Sequence, residues 1–320
     1  MIRLFEIKDG KICEICKLEG EQSFSLETLR SADWIDALEP NDNEREQLSS
    51  FLSINLPESD EIEEIEASAR CFVDQAGIHV HSLFLAMSEG RHNTVTVATI
   101  LQSDRLITIR ETDIADFRLL RLRARKGQVI CNDPDGLLVT ILDQKIENHA
   151  DTLEDIHRQL EDVSHLVLED EGADLEDAIS KLAKLEDSNG KIRLCLMDTQ
   201  RDISFLLKQF KDRPELTEGL REVMRDLDTL MGHTTFLFDK INFLMDSTQG
   251  FINIEQNQII KTFSIAAVVF LPPTLVASIY GMNFEFMPEL DWSLGYPWAL
   301  LLMVASGFAP YWLFKRKGWL

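Results

Sequence analysis

TFSIAAVVFLPPTLVASIYGM, residues 262–282, runs for 21 positions without an Asp, Glu, Lys or Arg. As a helix it extends about 31 Å, enough to cross the hydrocarbon core of a bilayer. A short acidic loop follows, residues 283–296. A second uncharged run, residues 297–314, is 18 residues long and carries Trp298, Tyr311 and Trp312 near its ends. Amphipathic rings of this kind suit the membrane interface. Soluble core helices rarely go this far without a charge, so the two runs predict a transmembrane hairpin.

The flanks orient it. Lys261 precedes the first run, and Lys315, Arg316 and Lys317 follow the second. The loop between them carries Glu285, Glu289 and Asp291 and no Lys or Arg. Positive flanks stay in the cytoplasm, so both termini are expected inside and the acidic loop outside. Residues 1–10 hold no apolar signal core, so secretion is not expected.

The residues before the first span are enough for a domain with its own core. The chain carries 55 acidic and 32 basic residues, a net charge of −23. That excludes nucleic acid as a natural partner and favours cations or a well-solvated surface. The 5 cysteines are an odd count, and a cytoplasmic setting keeps them as free thiols. Cys13 and Cys16 have the spacing of a redox or metal pair. They fall on a strand, where residues three apart face opposite sides, so a structural role is expected.

Residues 1–135 read as a cytoplasmic α/β sandwich with a mixed sheet. Strands at 2–7 and 11–18 flank Asp9-Gly10, a hairpin turn. Further hairpins are expected at 70–73 with 78–87 and at 94–101 with 106–110. Helices are expected at 43–53, 60–68 and 114–125. His79 and His81 share a strand face, read as a polar face rather than a metal site because no third ligand is evident. His149, His157 and His165 are eight apart on a helix and do not align.

From Leu138 the period changes. Leu142, Ile146, His149, Leu153, Ile156, Leu160, Val163 and Val167 recur in a 4-3 rhythm. The rhythm returns from Ile192 to Phe210 and from Leu216 to Thr248, the mark of long helices packed along a seam. Breaks are expected near Gly172 and Pro214; at Asn189-Gly190 a break competes with a continuous helix. Residues 136–213 thus form acidic cytoplasmic helices, and 214–261 the cytoplasmic part of a stalk that can run into the first span. Residues 283–296 form the external loop and 315–320 a basic cytoplasmic tail.

No P-loop, dinucleotide turn, GxSxG or HExxH is present, so an enzyme is not expected. The first span instead carries Ser264, Ala266, Ala267, Thr274, Ala277, Ser278 and the pair Pro272-Pro273. A plain anchor does not need these; a helix packed on copies of itself around a pore does. Tyr280, Gly281, Met282 and Asn283 then fall at its outer mouth. A ring of glycine carbonyls and Asn oxygens can hold a hydrated cation, which suits magnesium because it dehydrates reluctantly.

At these residues the sequence resembles the CorA family of magnesium transporters. The likeness runs through residues 253–257, Pro272-Pro273-Thr274, Tyr280-Gly281-Met282-Asn283-Phe284, Met287-Pro288-Glu289-Leu290 and Lys315-Arg316-Lys317. The resemblance implies a funnel-shaped homopentamer in the bacterial inner membrane, carrying magnesium inward and also cobalt and nickel, without an organic cofactor. It implies Gly281, Met282 and Asn283 as the selectivity ring. Asp246, Asn257, Ile260, Phe263, Leu271 and Tyr280 match pore-lining or gating positions, and Glu285 and Glu289 belong to the external loop. Regulatory magnesium is implied between subunits, with Glu63 and Glu64 on one side and Glu222 with Asp226 on the other; the family pattern has aspartates where this chain has glutamates. The rival readings are the zinc-transporting sister branch and a non-conducting coiled-coil scaffold. The Met282 and Met287 motifs and the lack of a Cys/His cluster disfavour the first, and the polar residues of the first span disfavour the second.

Overall fold

The computed structural model describes residues 1–15, 24–52, 70–170, 172–283, 287–288 and 292–318. It divides into two compact units, Met1–Met245 and Asp246–Leu320.

The first unit is built on a seven-stranded mixed sheet. Its elements begin with β1 (Ile2–Lys8), β2 (Lys11–Ile15), α1 (Leu26–Arg30), β3 (Trp34–Leu38) and α2 (Asp42–Leu52). They continue with β4 (Cys71–Val73), β5 (Ile78–Ser88), β6 (Arg91–Leu101), β7 (Leu106–Arg110) and α3 (Ala115–Arg125). The strand order is β2-β1-β3-β7-β6-β5-β4. Strands β3 and β7 run parallel and the other neighbours antiparallel.

The expected hairpins form. Asp9 and Gly10 take φ of 51° and 74°, the left-handed pair that a two-residue turn requires. At the β4–β5 turn the Asp74 carboxylate accepts from the N–H groups of Ala76 and Gly77. Gly77 is obligatory there, since a Cβ would lie 2.2 Å from the Leu101 carbonyl oxygen. Strands β5 and β6 also pair with each other along their whole length, through Glu89-Gly90, a hairpin the sequence reading did not join. Strand β3 and helix α1 were not expected. The helix expected at 60–68 lies outside the described residues.

Alternation along the strands gives the sheet two apolar faces. One presents Ile2, Leu4, Ile35, Ala37, Ile107 and Ile109 to Leu29 of α1 and Leu48 of α2. The other presents Phe5, Trp34, Val80 and Phe84 to Phe117 of α3 and to the long helices.

Those long helices are α4 (Pro134–Glu169), α5 (Leu175–Gln209) and α6 (Pro214–Tyr280). Asp133 caps α4 by accepting from Gly136 N–H, with Pro134 in the first turn; Asp174 caps α5 through Glu176 and Asp177 N–H. Each 4-3 position expected in α4, from Leu142 to Val167, is buried. So are Ile192, Leu196, Thr199, Ile203 and Leu206 of α5 and Leu220, Val223, Leu227, Leu237, Ile241 and Leu244 of α6. Helix α5 is continuous through Asn189-Gly190. Asn189 is buried there and donates to the Thr234 carbonyl of α6 at 3.0 Å.

The second unit holds the end of α6 and helix α7 (Gly295–Arg316). Both helices contain 18-residue windows apolar enough to span a membrane, with mean hydropathy 1.9 and 1.4. None of the first window and 6% of the second is buried, so these are not core helices of a soluble domain.

Candidate functional site

Helix α6 ends at Tyr280, and Gly281, Met282 and Asn283, expected to form a selectivity ring, follow directly. Gly281 N–H donates to the Ala277 carbonyl at 2.9 Å, and Met282 N–H donates to Ile279 at 3.3 Å. A Cβ on Gly281 would stand 3.1 Å from that Ala277 oxygen, a tight contact that a shift of a few tenths of an ångström would relieve. Met282 and Asn283 are exposed at the tip.

Five of the six expected pore positions fall on one side of α6. At 100° per residue, Asp246, Asn257, Ile260, Phe263 and Leu271 lie within an arc of about 120°. Tyr280 falls on the far side of that arc. The large apolar members are bare in the single chain: Phe263 is 74% exposed and Leu271 68%. Such a stripe awaits lipid or other copies of the chain. Pro272 and Pro273 stand inside the helix without breaking it, and the Thr274 hydroxyl donates to the Phe270 carbonyl at 2.7 Å.

Glu285 and Glu289 of the expected external loop, and Glu63 and Glu64 of the expected regulatory set, lie outside the described residues. Glu222 and Asp226 are exposed, one turn apart on α6. Sequence reasoning missed their neighbour Asp143 on α4. Burial pushes its carboxyl above the usual range, and the charges of Glu147, Asp226 and Glu222 push it further, against Arg123. Mutual repulsion of this kind is relieved by a cation. Among the described residues no three His, Cys, Asp or Glu side chains close around one metal position. The cluster is therefore an open acidic face rather than a finished cage.

His79 and His81 share a strand face as expected, but that face is buried, with ring centroids 6.1 Å apart and Phe72 stacked on His79. Burial lowers both imidazoles, His81 to about 4, which fits a neutral packed pair. Cys13 is a free exposed thiol; Cys16 lies outside the described residues.

Comparison with known proteins agrees over the whole length. The family described as CorA-like Mg2+ transporter protein matches residues 30–316. The chain is 46% identical over 322 residues to the magnesium transport protein CorA of Escherichia coli K12, covering 100% of each. The CorA protein of Salmonella typhimurium LT2 matches at the same identity and coverage. The fold is similar to the complete CorA magnesium transporter structure from Methanocaldococcus jannaschii, with TM-score 0.75 at 20% identity over 100% of this chain and 99% of that one. Two unburied apolar helices, a ring motif where the first one ends, and relatives this similar from end to end lead to one assignment: the chain belongs to the CorA-like Mg2+ transporter family.

Proposed function

We propose that the chain is a magnesium transport protein that works as a homopentameric channel in the bacterial inner membrane, with both termini cytoplasmic. The observation that carries this reading is the end of α6, where an unburied apolar helix terminates in Gly281-Met282-Asn283. Repeated around an axis, that tip offers backbone carbonyls and Asn oxygens to a cation that keeps its water. Cobalt and nickel, of similar hydration, would share the path.

Below the tip, Leu271, Phe263 and Ile260 form an apolar stripe, with Asn257 and Asp246 further along α6. Closed rings of such residues shut a pore by expelling water. The acidic loop with Glu285 and Glu289 gathers cations at the outer mouth. The open acidic face of Asp143, Glu222 and Asp226 is the regulatory half-site, completed by Glu63 and Glu64 of a neighbouring copy. Magnesium bridging the two copies favours the closed arrangement, and its loss releases it. In this scheme residues 1–135 are the cytoplasmic α/β domain and 136–213 and 214–261 the cytoplasmic helices and stalk. Residues 262–282 and 297–314 are the spans, 283–296 the external loop and 315–320 the cytoplasmic tail.

The test is ion flux into proteoliposomes that enclose a magnesium-sensitive or a zinc-sensitive dye. Magnesium influx supports the proposal. Zinc influx without magnesium moves the chain to the zinc branch, and no flux from folded, inserted protein leaves a scaffold.

A further inference from the structure

Beside strand β1, helix α3 concentrates positive charge. A cleft of about 470 Å3 opens between β1 and α3, walled by Arg3, Arg118, Arg121 and Arg125 with Glu14. For a chain of net charge −23 this is a pronounced local reversal.

The cleft has a built floor. Asp36 of β3 is 1% exposed and is shared by Arg110 and Arg121, the latter at 3.3 Å. Arg3 is the direct cross-strand neighbour of Asp36 in the β1–β3 ladder. Among the described residues Arg3 has no ion pair; its guanidinium meets only the Met1 sulfur, at 3.8 Å. Two guanidiniums therefore hold this buried carboxylate, and Arg3 stands beside it on the neighbouring strand. Asp113 serves Arg118 at 3.0 Å and Arg121 at 3.6 Å, so it too is shared. Glu14 holds Arg125 at 2.5 Å. Burial holds the Arg121 guanidinium below its usual range, opposed by Asp36 and assisted by Arg3 and Arg110. Among the described residues these arginines outnumber the carboxylates that pair with them, and Arg121 is fixed from below, with only 8% of its surface exposed.

We propose that this cleft is a binding site for a phosphate-bearing anion, with Arg3 and Arg121 as the central ligands and Arg118 and Arg125 closing over it. Guanidinium forks match pairs of phosphate oxygens, and a preorganised cluster loses little side-chain entropy on binding. The phosphate can belong to a soluble polyphosphate or to a lipid headgroup.

Isothermal titration of the full-length protein in detergent decides it, using pyrophosphate and, separately, a soluble short-chain phosphatidic acid. Saturable binding of either probe, weakened at least about tenfold in Arg3→Gln with Arg125→Gln, is the expected result, since each variant removes a charge-assisted contact. Whichever probe binds more tightly identifies the source. Glu14→Gln, which removes an acidic wall of the cleft, should tighten binding, a gain that misfolding cannot imitate. No saturable binding of either probe, or equal binding by wild type and all variants, overturns the proposal.

Discussion

Gly307 of α7 lies so close to Pro273 of α6 that a Cβ on it would stand 3.2 Å from the proline Cγ. The same Cβ would stand 3.6 Å from the Val269 carbonyl. Pro273 has no N–H to give that carbonyl, so the helix is weakened where the two spans meet. A small residue lets the backbones approach and restores packing. Gly307→Leu should separate the spans and reduce magnesium flux about tenfold or more, whereas Gly307→Ala needs a shift of only a few tenths of an ångström and should keep most of it. Equal flux in Gly307→Leu and wild type would show that this contact does not shape the path.

Asp36→Asn should be among the most damaging single changes in the α/β domain. It leaves Arg110, 1% exposed, and Arg121 without their shared charge. Breaking a buried pair from one side costs about 3–5 kcal/mol. A thermal melt of the purified protein should fall by roughly 10 °C. A melt unchanged within error would mean that the arginines find other partners.

Asp116 supplies a pH test. Burial pushes its carboxyl up to about 7, against its own backbone N–H, Lys145 and a bond from Asn148. One carboxylate oxygen has no partner. In the unfolded chain the group ionises near its ordinary value, so between about pH 4 and 7 the native state binds the extra proton. Stability from this group therefore falls as pH rises through that window, and its penalty is complete above pH 7. Asp116→Asn should raise the melt at pH 8, by the equivalent of up to about 4 kcal/mol, and change it little near pH 4. A stabilisation independent of pH would contradict the assignment.

The sequence made the two apolar spans and the helix seams legible because each is written in adjacent or periodic residues. Asp9-Gly10 announced its turn, and the positions from Leu142 to Val167 announced their burial. Strand β3 was hidden because Asp36 breaks its apolar run; the charge is tolerated only because Arg110 and Arg121 arrive from β7 and α3. The β5–β6 pairing was hidden because polar residues at 88–93 look like a loop, although they continue the ladder past its buried part. Asp143 beside Glu222 and Asp226 depends on how α4 and α6 pack, which no local pattern encodes.

Regulation can be separated from conduction. Asp143→Asn combined with Glu222→Gln removes two carboxylates from the proposed half-site while leaving Gly281-Met282-Asn283 intact. Proteoliposome flux should then persist at interior-side magnesium concentrations that silence the wild type, with half-inhibition moved up at least about tenfold, equivalent to 1.4 kcal/mol of lost coupling. An unchanged inhibition curve would place the sensor elsewhere.

The most direct measurement is magnesium influx through Asn283→Ala beside wild type, at matched protein content in dye-loaded proteoliposomes. If a ring of Asn283 oxygens receives the hydrated ion, wild type carries magnesium, and the variant loses the flux or loses its preference for magnesium over other divalent ions. Equal, equally selective flux in the two proteins would mean that the ion is chosen somewhere other than the tip of α6.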